Sequence, residues 1–159
     1  MLSYKLLFFL PLISTIFTYP FGVLLGEKTA QYFSSTLISL AAILSWFLFI
    51  SFSSSSSSEI IIPVLEWFFV SGQFFNWGIS INSLTLLMLT LVLTVSALVH
   101  IYSIEYMSHD NSKVRFMTYL SLFTFCMVAL VVSDNLIQLF FGWEGGWFSF
   151  LFINRFLAS

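Results

Sequence analysis

Charge is what this chain has least of: five Lys and Arg and seven Asp and Glu in 159 residues, or 8%, with a net charge of −2. A soluble domain carries roughly 25% charged residues, so the low value, with 59% hydrophobic residues and a mean hydropathy of +1.01, identifies an integral membrane protein. So few basic side chains form no patch for nucleic acid and no polybasic tail for anionic lipid. One cysteine, Cys126, excludes an internal disulfide and any Cys-held iron–sulfur or zinc site. Its apolar surroundings make it a packing residue. The seven glycines are scattered, and none forms a phosphate-binding loop between a strand and a helix. Neither His100 nor His109 has a partner at metal-ligand spacing, so no metal is indicated. Any redox chemistry is therefore expected in other chains.

What the chain does have is apolar runs of membrane-spanning length, about 20 residues each in a helix. Five are expected, approximately Leu6 to Leu25, Tyr32 to Ile50, Leu84 to Ile104, Phe116 to Val132 and Leu136 to Phe156. The first could be read as a secretory signal, but it continues to Leu25 without a small-x-small cleavage site, so a retained helix is expected. Pro11 within it is tolerable because neighbouring helices can satisfy the carbonyl it frees. Phenylalanine, at 21 residues, is over-used in the manner of an AT-rich organellar genome.

Between the second and third runs the pattern changes. Ser53 to Ser58 are consecutive serines, and residues 51–58 read as a linker with nothing to bury. From Phe75 to Asn82 apolar and polar residues alternate, Phe75, Trp77, Ile79 and Ile81 against Asn76, Gly78, Ser80 and Asn82, which is the period of a strand with one buried face. With a turn at Ser71-Gly72-Gln73, Ile60 to Val70 can pair back, giving a β-hairpin over about 60–82 at the membrane surface. The expected architecture is thus all-α, a single membrane domain of about five transmembrane helices with a hairpin between helices 2 and 3. Lys28, Lys113, Arg115 and Arg155 fall on one side of it and Lys5 on the other. By the positive-inside rule the loops at Gly26 to Ala30 and Glu105 to Arg115 face the matrix or cytoplasm.

Ionisable groups at membrane depth are costly, by about 2.5–3.5 kcal/mol for a central Asp, Lys or Arg on insertion scales, and usually functional. Glu144, in "DNLIQLFFGWEGGWFSFLFINRF", is the only deep acid, roughly 12 Å into its helix. It reads as a proton site, with a neutral acid that merely joins helices as the bland alternative. Gly142, Gly145 and Gly146 beside it let helices approach and would leave room for water at the carboxyl group. Trp147, Phe148, Leu151 and Arg155 share its face, but Arg155 is roughly 16 Å away, too far for a salt bridge, and reads as an interfacial snorkelling residue. His100 fits a proton shuttle and an interfacial hydrogen-bonding residue equally well. Asn135, Gln138, Thr118 and Thr124 are expected to tie helices together.

Taken in order, "SLT" at Ser83 to Thr85, "HIYSIEYM" at His100 to Met107, "RFMTYLSLFTF" at Arg115 to Phe125 and "DNLIQLFFGWEG" at Asp134 to Gly145 resemble the N-terminal third of subunit 5 of NADH:ubiquinone oxidoreductase, respiratory complex I. The resemblance implies an antiporter-like, proton-translocating membrane-arm subunit in the mitochondrial inner membrane, with Glu144 the interior glutamate beside Trp143 and the glycines. It implies no cofactor on this chain; NADH, FMN, iron–sulfur clusters and ubiquinone would belong to other subunits, and lipid would cover the surface. Partners would be other membrane-arm subunits, including a neighbouring antiporter-like one. In the family that glutamate works with a lysine two helices later. Two departures stand out: Asn82 replaces the usual Asp before "SLT", and after "GWEG" the usual Val-Gly is Gly146-Trp147, followed by Asn154-Arg155. Because the lysine-bearing helices are missing here, the expectation is a split subunit whose second chain supplies them. The alternatives are a degenerate structural subunit of the same complex, or a subunit of a multi-chain cation/proton antiporter. Whether protons or sodium would move is not set by these residues.

Overall fold

A computed structural model describes residues 2–56 and 58–158, and of residues 156 and 157 the backbone alone. Its elements are α1 (Leu2–Leu25), α2 (Glu27–Ser54), β1 (Ile60–Val70), β2 (Gln73–Ile81), α3 (Ser83–Tyr106), α4 (Lys113–Val131) and α5 (Leu136–Ala158). The chain is 75% helical, and among the described residues five helices are long and apolar enough to cross a membrane.

Each expected helix is present, and most are longer than hydropathy alone indicates. Hydropathy marks the hydrocarbon segment, whereas the backbone continues helically into the polar interface until a cap or turn stops it. So α2 begins at Glu27 instead of Tyr32, and Lys28 lies in its first turn rather than in a loop. Gly26 alone joins α1 to α2, with φ +104° and ψ +156°, a conformation that in practice only glycine adopts. Likewise Lys113 and Arg115 belong to the first turn of α4, leaving 107–112 as the connection. The serine linker is also shorter than expected. Helix α2 runs on through Ser54, whose hydroxyl donates to the Ile50 carbonyl at 2.8 Å, and Ser55 closes it by donating N–H and hydroxyl to the Phe52 carbonyl. Serines that bond back to their own helix hide their polarity, so a serine run can prolong a helix. The remaining linker includes Ser57, which lies outside the described residues.

The hairpin forms where the alternation placed it. Its turn is Ser71–Gly72, with Gln73 already in β2; both turn residues have positive φ, +52° and +84°, which matches the twist of a two-residue hairpin. The strands pair antiparallel from Ile60↔Ile81 to Val70↔Gln73, slipping after Pro63 and again after Glu66. Proline at such an irregularity costs no ladder bond. The one-sided burial holds only near the turn. Toward α3 both faces are covered, because Gly78 and Ser80 as well as Ile79 and Ile81 are buried.

Helices α1 to α4 form a bundle, with α1 beside α2 and α4, and α2 beside α3; α5 packs on the outside of α4. The interior stripe of α3, Leu86, Leu89, Leu93, Ala97 and His100, repeats every three or four residues and meets Ile38, Ala41 and Phe125 in the core. Opposite stripes are large and apolar, as lipid-facing surfaces are. The ends are fixed by pairs of elements. Lys113 Nζ lies 3.2 Å from Glu27 Oε2, which sets the starts of α2 and α4 side by side. At the other end the Ser80 N–H donates to the Val132 carbonyl at 2.9 Å, and Gln138 of α5 and Asn135 just before it hold Gly78 and Asn76 of β2.

Candidate proton-transfer site and its neighbours

Helix α5 has two unlike faces. Gly142, Gly146 and Ser149 are buried against α4, and contact is close enough that a Cβ on Gly142 would lie 2.7 Å from the Leu130 backbone nitrogen. A Cβ on Gly145 would meet the Cys126 sulfur at 2.8 Å. Gly142 and Gly145 therefore serve the α4–α5 seam, while Gly142 and Gly146 also line an apolar groove between α4 and α5 with Trp143 and Trp147. Cys126 is a free, buried thiol in that seam, a packing residue as expected.

Glu144 occupies the other face. Phe140, Trp147, Phe148 and Leu151 stand one and two turns from it and are exposed, at 64%, 56%, 58% and 45%. The carboxyl is half-buried, and among the described residues it makes no hydrogen bond or ion pair. Trp143, also exposed at 63%, flanks it. Arg155 lies exposed in the last turn of α5, three turns on, and does not reach it. This chain thus places a carboxyl at mid-span on an apolar face that its own helices leave uncovered.

His100 is remote from that face. It is wholly buried between α3 and α4, with Nδ1 2.7 Å from the Ser96 carbonyl and Nε2 3.1 Å from Ser121 Oγ. A carbonyl only accepts, so Nδ1 carries the proton and Nε2 accepts from Ser121. Ser121 also meets Ser14 of α1 at 2.9 Å and Ser34 of α2 at 2.8 Å, and those two are 3.1 Å apart. Ser96 Oγ bonds Thr124 of α4, whose hydroxyl donates to the Leu120 carbonyl. Four helices are therefore joined by one imidazole and five hydroxyls. The sequence pointed to His100 but missed the serines, because single serines in apolar runs carry no spacing signal that predicts their convergence.

Of the residues expected to tie elements together, Thr124 does so through Ser96, Asn135 donates to the Asn76 carbonyl at 2.9 Å, and Gln138 grips Gly78 from both sides. Thr118 does not: it bonds the Val114 carbonyl of its own helix, the usual outlet for a threonine hydroxyl four residues on. Asn82 caps α3, its Oδ1 accepting from the Thr85 N–H at 2.8 Å. Asn and Asp are equally good caps, so replacement of the family's usual Asp leaves this role intact. His109 is exposed in the α3–α4 connection, and among the described residues no three His, Cys, Asp or Glu side chains cluster as a metal site would require.

Comparison with known proteins fits this arrangement. Residues 67–117, from the hairpin through α3 into α4, match the family model described as NADH-Ubiquinone oxidoreductase (complex I), chain 5 N-terminus. The chain is 45% identical over 139 residues to NADH-quinone oxidoreductase subunit L of Rhodobacter capsulatus, covering 82% of this chain and 19% of that protein. It is 43% identical over 152 residues to NADH-ubiquinone oxidoreductase chain 5 of Marchantia polymorpha, covering 95% and 23%, and 43% identical over 146 residues to subunit L of Rickettsia conorii, covering 91% and 22%. The chain spans about a fifth to a quarter of these relatives, less than the third that the resemblance implied. With its five candidate spans and its hairpin, the chain is similar to the N-terminal part of complex I chain 5 and subunit L.

Proposed function

We propose that the chain is a membrane-arm component of a respiratory complex I in the mitochondrial inner membrane, and that Glu144 takes up and gives off a proton as NADH is oxidised by quinone elsewhere in the complex. One observation carries the reading. A lone carboxyl stands at mid-span, without a partner among the described residues, on a face of α5 that α1 to α4 leave open. An acid kept at that depth is costly unless something uses it. Its complement is a cation on the segment that covers this face, and that segment is the chain's principal partner, together with other membrane-arm subunits and lipid. Electron carriers, namely FMN, iron–sulfur clusters and quinone, are assigned to other chains.

Replacing Glu144 by Gln keeps size and hydrogen bonding but removes titration. In the assembled complex, Glu144→Gln lowers the protons moved per electron pair while the complex remains intact. An unchanged stoichiometry sinks the proposal and leaves a structural role.

A further inference from the structure

Two buried polar atoms in α2 have no partner among the described residues: Gln31 Nε2 and Ser35 Oγ, on residues only 2% and 5% exposed. An unmet buried donor of this kind destabilises the fold unless something satisfies it. A site that is polar and enclosed is where an internal water belongs, whereas apolar cavities stay dry. Their position along the helix is informative. Glu27, Gln31, Ser34 and Ser35 follow one another at spacings of one and two turns and so lie on one face of α2. The first of them is paired with Lys113 at the surface, and Ser34 is already part of the hydroxyl triad with Ser14 and Ser121.

We propose that these residues form a hydrated proton-entry path inside the α1–α4 bundle. It leads from the Glu27–Lys113 end, through water held by Gln31 and Ser35, across the Ser14–Ser34–Ser121 triad to His100, and on to Ser96 and Thr124. It rests on the proposed role of the complex in proton movement, but it is separate from Glu144 and uses none of its contacts. Each transfer conserves protons. Ser121 passes its hydroxyl proton to His100 Nε2 and takes one from Ser34 or Ser14, which is refilled from the water at Gln31 and Ser35. The imidazolium then releases its Nδ1 proton toward Ser96 Oγ, 3.3 Å away. The ring is left neutral with the proton on Nε2, and a flip of the imidazole that carries this N–H round to the Ser96 side restores the starting state. Ser96 and Thr124 line an otherwise apolar groove between α3 and α4, with Val99, Leu120 and Phe123 around them, and the proton passes from Thr124 to a carboxylate or water on the partner segment that fills this groove. The entrance of the path faces the side that carries Lys28, Lys113 and Arg115.

A purely structural network would tolerate changes that this path does not. Protons moved per NADH oxidised are measured in sealed vesicles holding the assembled complex, with Glu144→Gln as the reference. Ser121→Ala and Gln31→Leu are expected to lower that ratio while uncoupled NADH oxidation persists; Ser121→Thr, which restores the hydroxyl, holds the parent ratio. Gln31→Leu removes the unmet donor, so it leaves folding intact even where Ser121→Ala does not assemble. Parent ratios in Ser121→Ala or Gln31→Leu, with a fall in Glu144→Gln, overturn the path and spare the proposed function. Parent ratios in every variant overturn both. A density map of the assembled complex with a dry, apolar contact at Gln31 also overturns it.

Discussion

Gln138 of α5 holds Gly78 of β2 at two points: its Nε2 donates to the glycine carbonyl at 2.7 Å and its Oε1 accepts the glycine N–H at 3.3 Å. A wholly buried side-chain amide thus stands in for a missing strand. It satisfies both backbone groups of a residue whose Cβ, were there one, would lie 3.0 Å from Asp134 Oδ2. An isolated two-stranded hairpin is marginal in water. This clamp, with Asn135 on Asn76 and the Ile79–Ser133 bridge, keeps the hairpin on the bundle.

Removing the clamp is therefore expected to loosen the hairpin more than the helices. Gln138→Leu leaves the buried Gly78 N–H and C=O unmet at about 1–3 kcal/mol each. Limited proteolysis of the membrane-embedded protein should cut at Ser71–Gly72 and within 60–82 faster than in the parent, with the spans unaffected. Gln138→Glu keeps the acceptor and loses the donor, so it falls between the two.

Gly142→Ala is expected to be the most damaging single methyl in α5. The new Cβ meets backbone atoms of Leu130 at 2.7 and 2.9 Å, which can move only by parting the helices. Overpacking of this kind typically costs about 1–3 kcal/mol. At Gly146 the nearest atoms are 3.9 and 4.0 Å away, ordinary contact distances, so Gly146→Ala is close to neutral. Comparing the amounts of assembled subunit for the two variants decides the point; equal loss would mean that the seam does not depend on Gly142.

At the start of α3, Asn82→Asp should leave stability unchanged and Asn82→Ala should cost about 1 kcal/mol, the usual worth of a cap. A thermal melt of the purified complex, read at the hairpin–α3 junction by hydrogen exchange at Thr85, separates the two. The Thr85 amide is the donor bonded by the cap and exchanges faster only in Asn82→Ala.

The elements that were legible in the sequence were those set by a long pattern. Five apolar runs gave five helices, and strict alternation from Phe75 to Asn82 gave β2 and, with the turn residues, β1. What escaped was set by single contacts. The serine run joins α2 because Ser54 can bond back to Ile50, a local competition that composition does not reveal. Thr118 and Thr124 look alike in sequence, yet one spends its hydroxyl on its own helix and the other also bridges to α3. Glu144 was legible as a costly acid, but not the direction it takes. The glycines flanking it belong to a seam on the opposite side of α5, so proximity in sequence gave the wrong neighbour. Gln31 and Ser35 gave no signal at all until burial showed their atoms unmet.

The Cys126 sulfur sits against Gly145 at the join of α4 and α5, and no other thiol exists in the chain. The protein therefore carries a built-in gauge of that join. Maleimide added to native membranes reports, by its rate of attachment alone, how often the helix bearing the mid-span carboxyl swings clear of its neighbour. Turnover with NADH would leave that rate fixed if α5 is a rigid support, and raise it if α5 moves with each cycle.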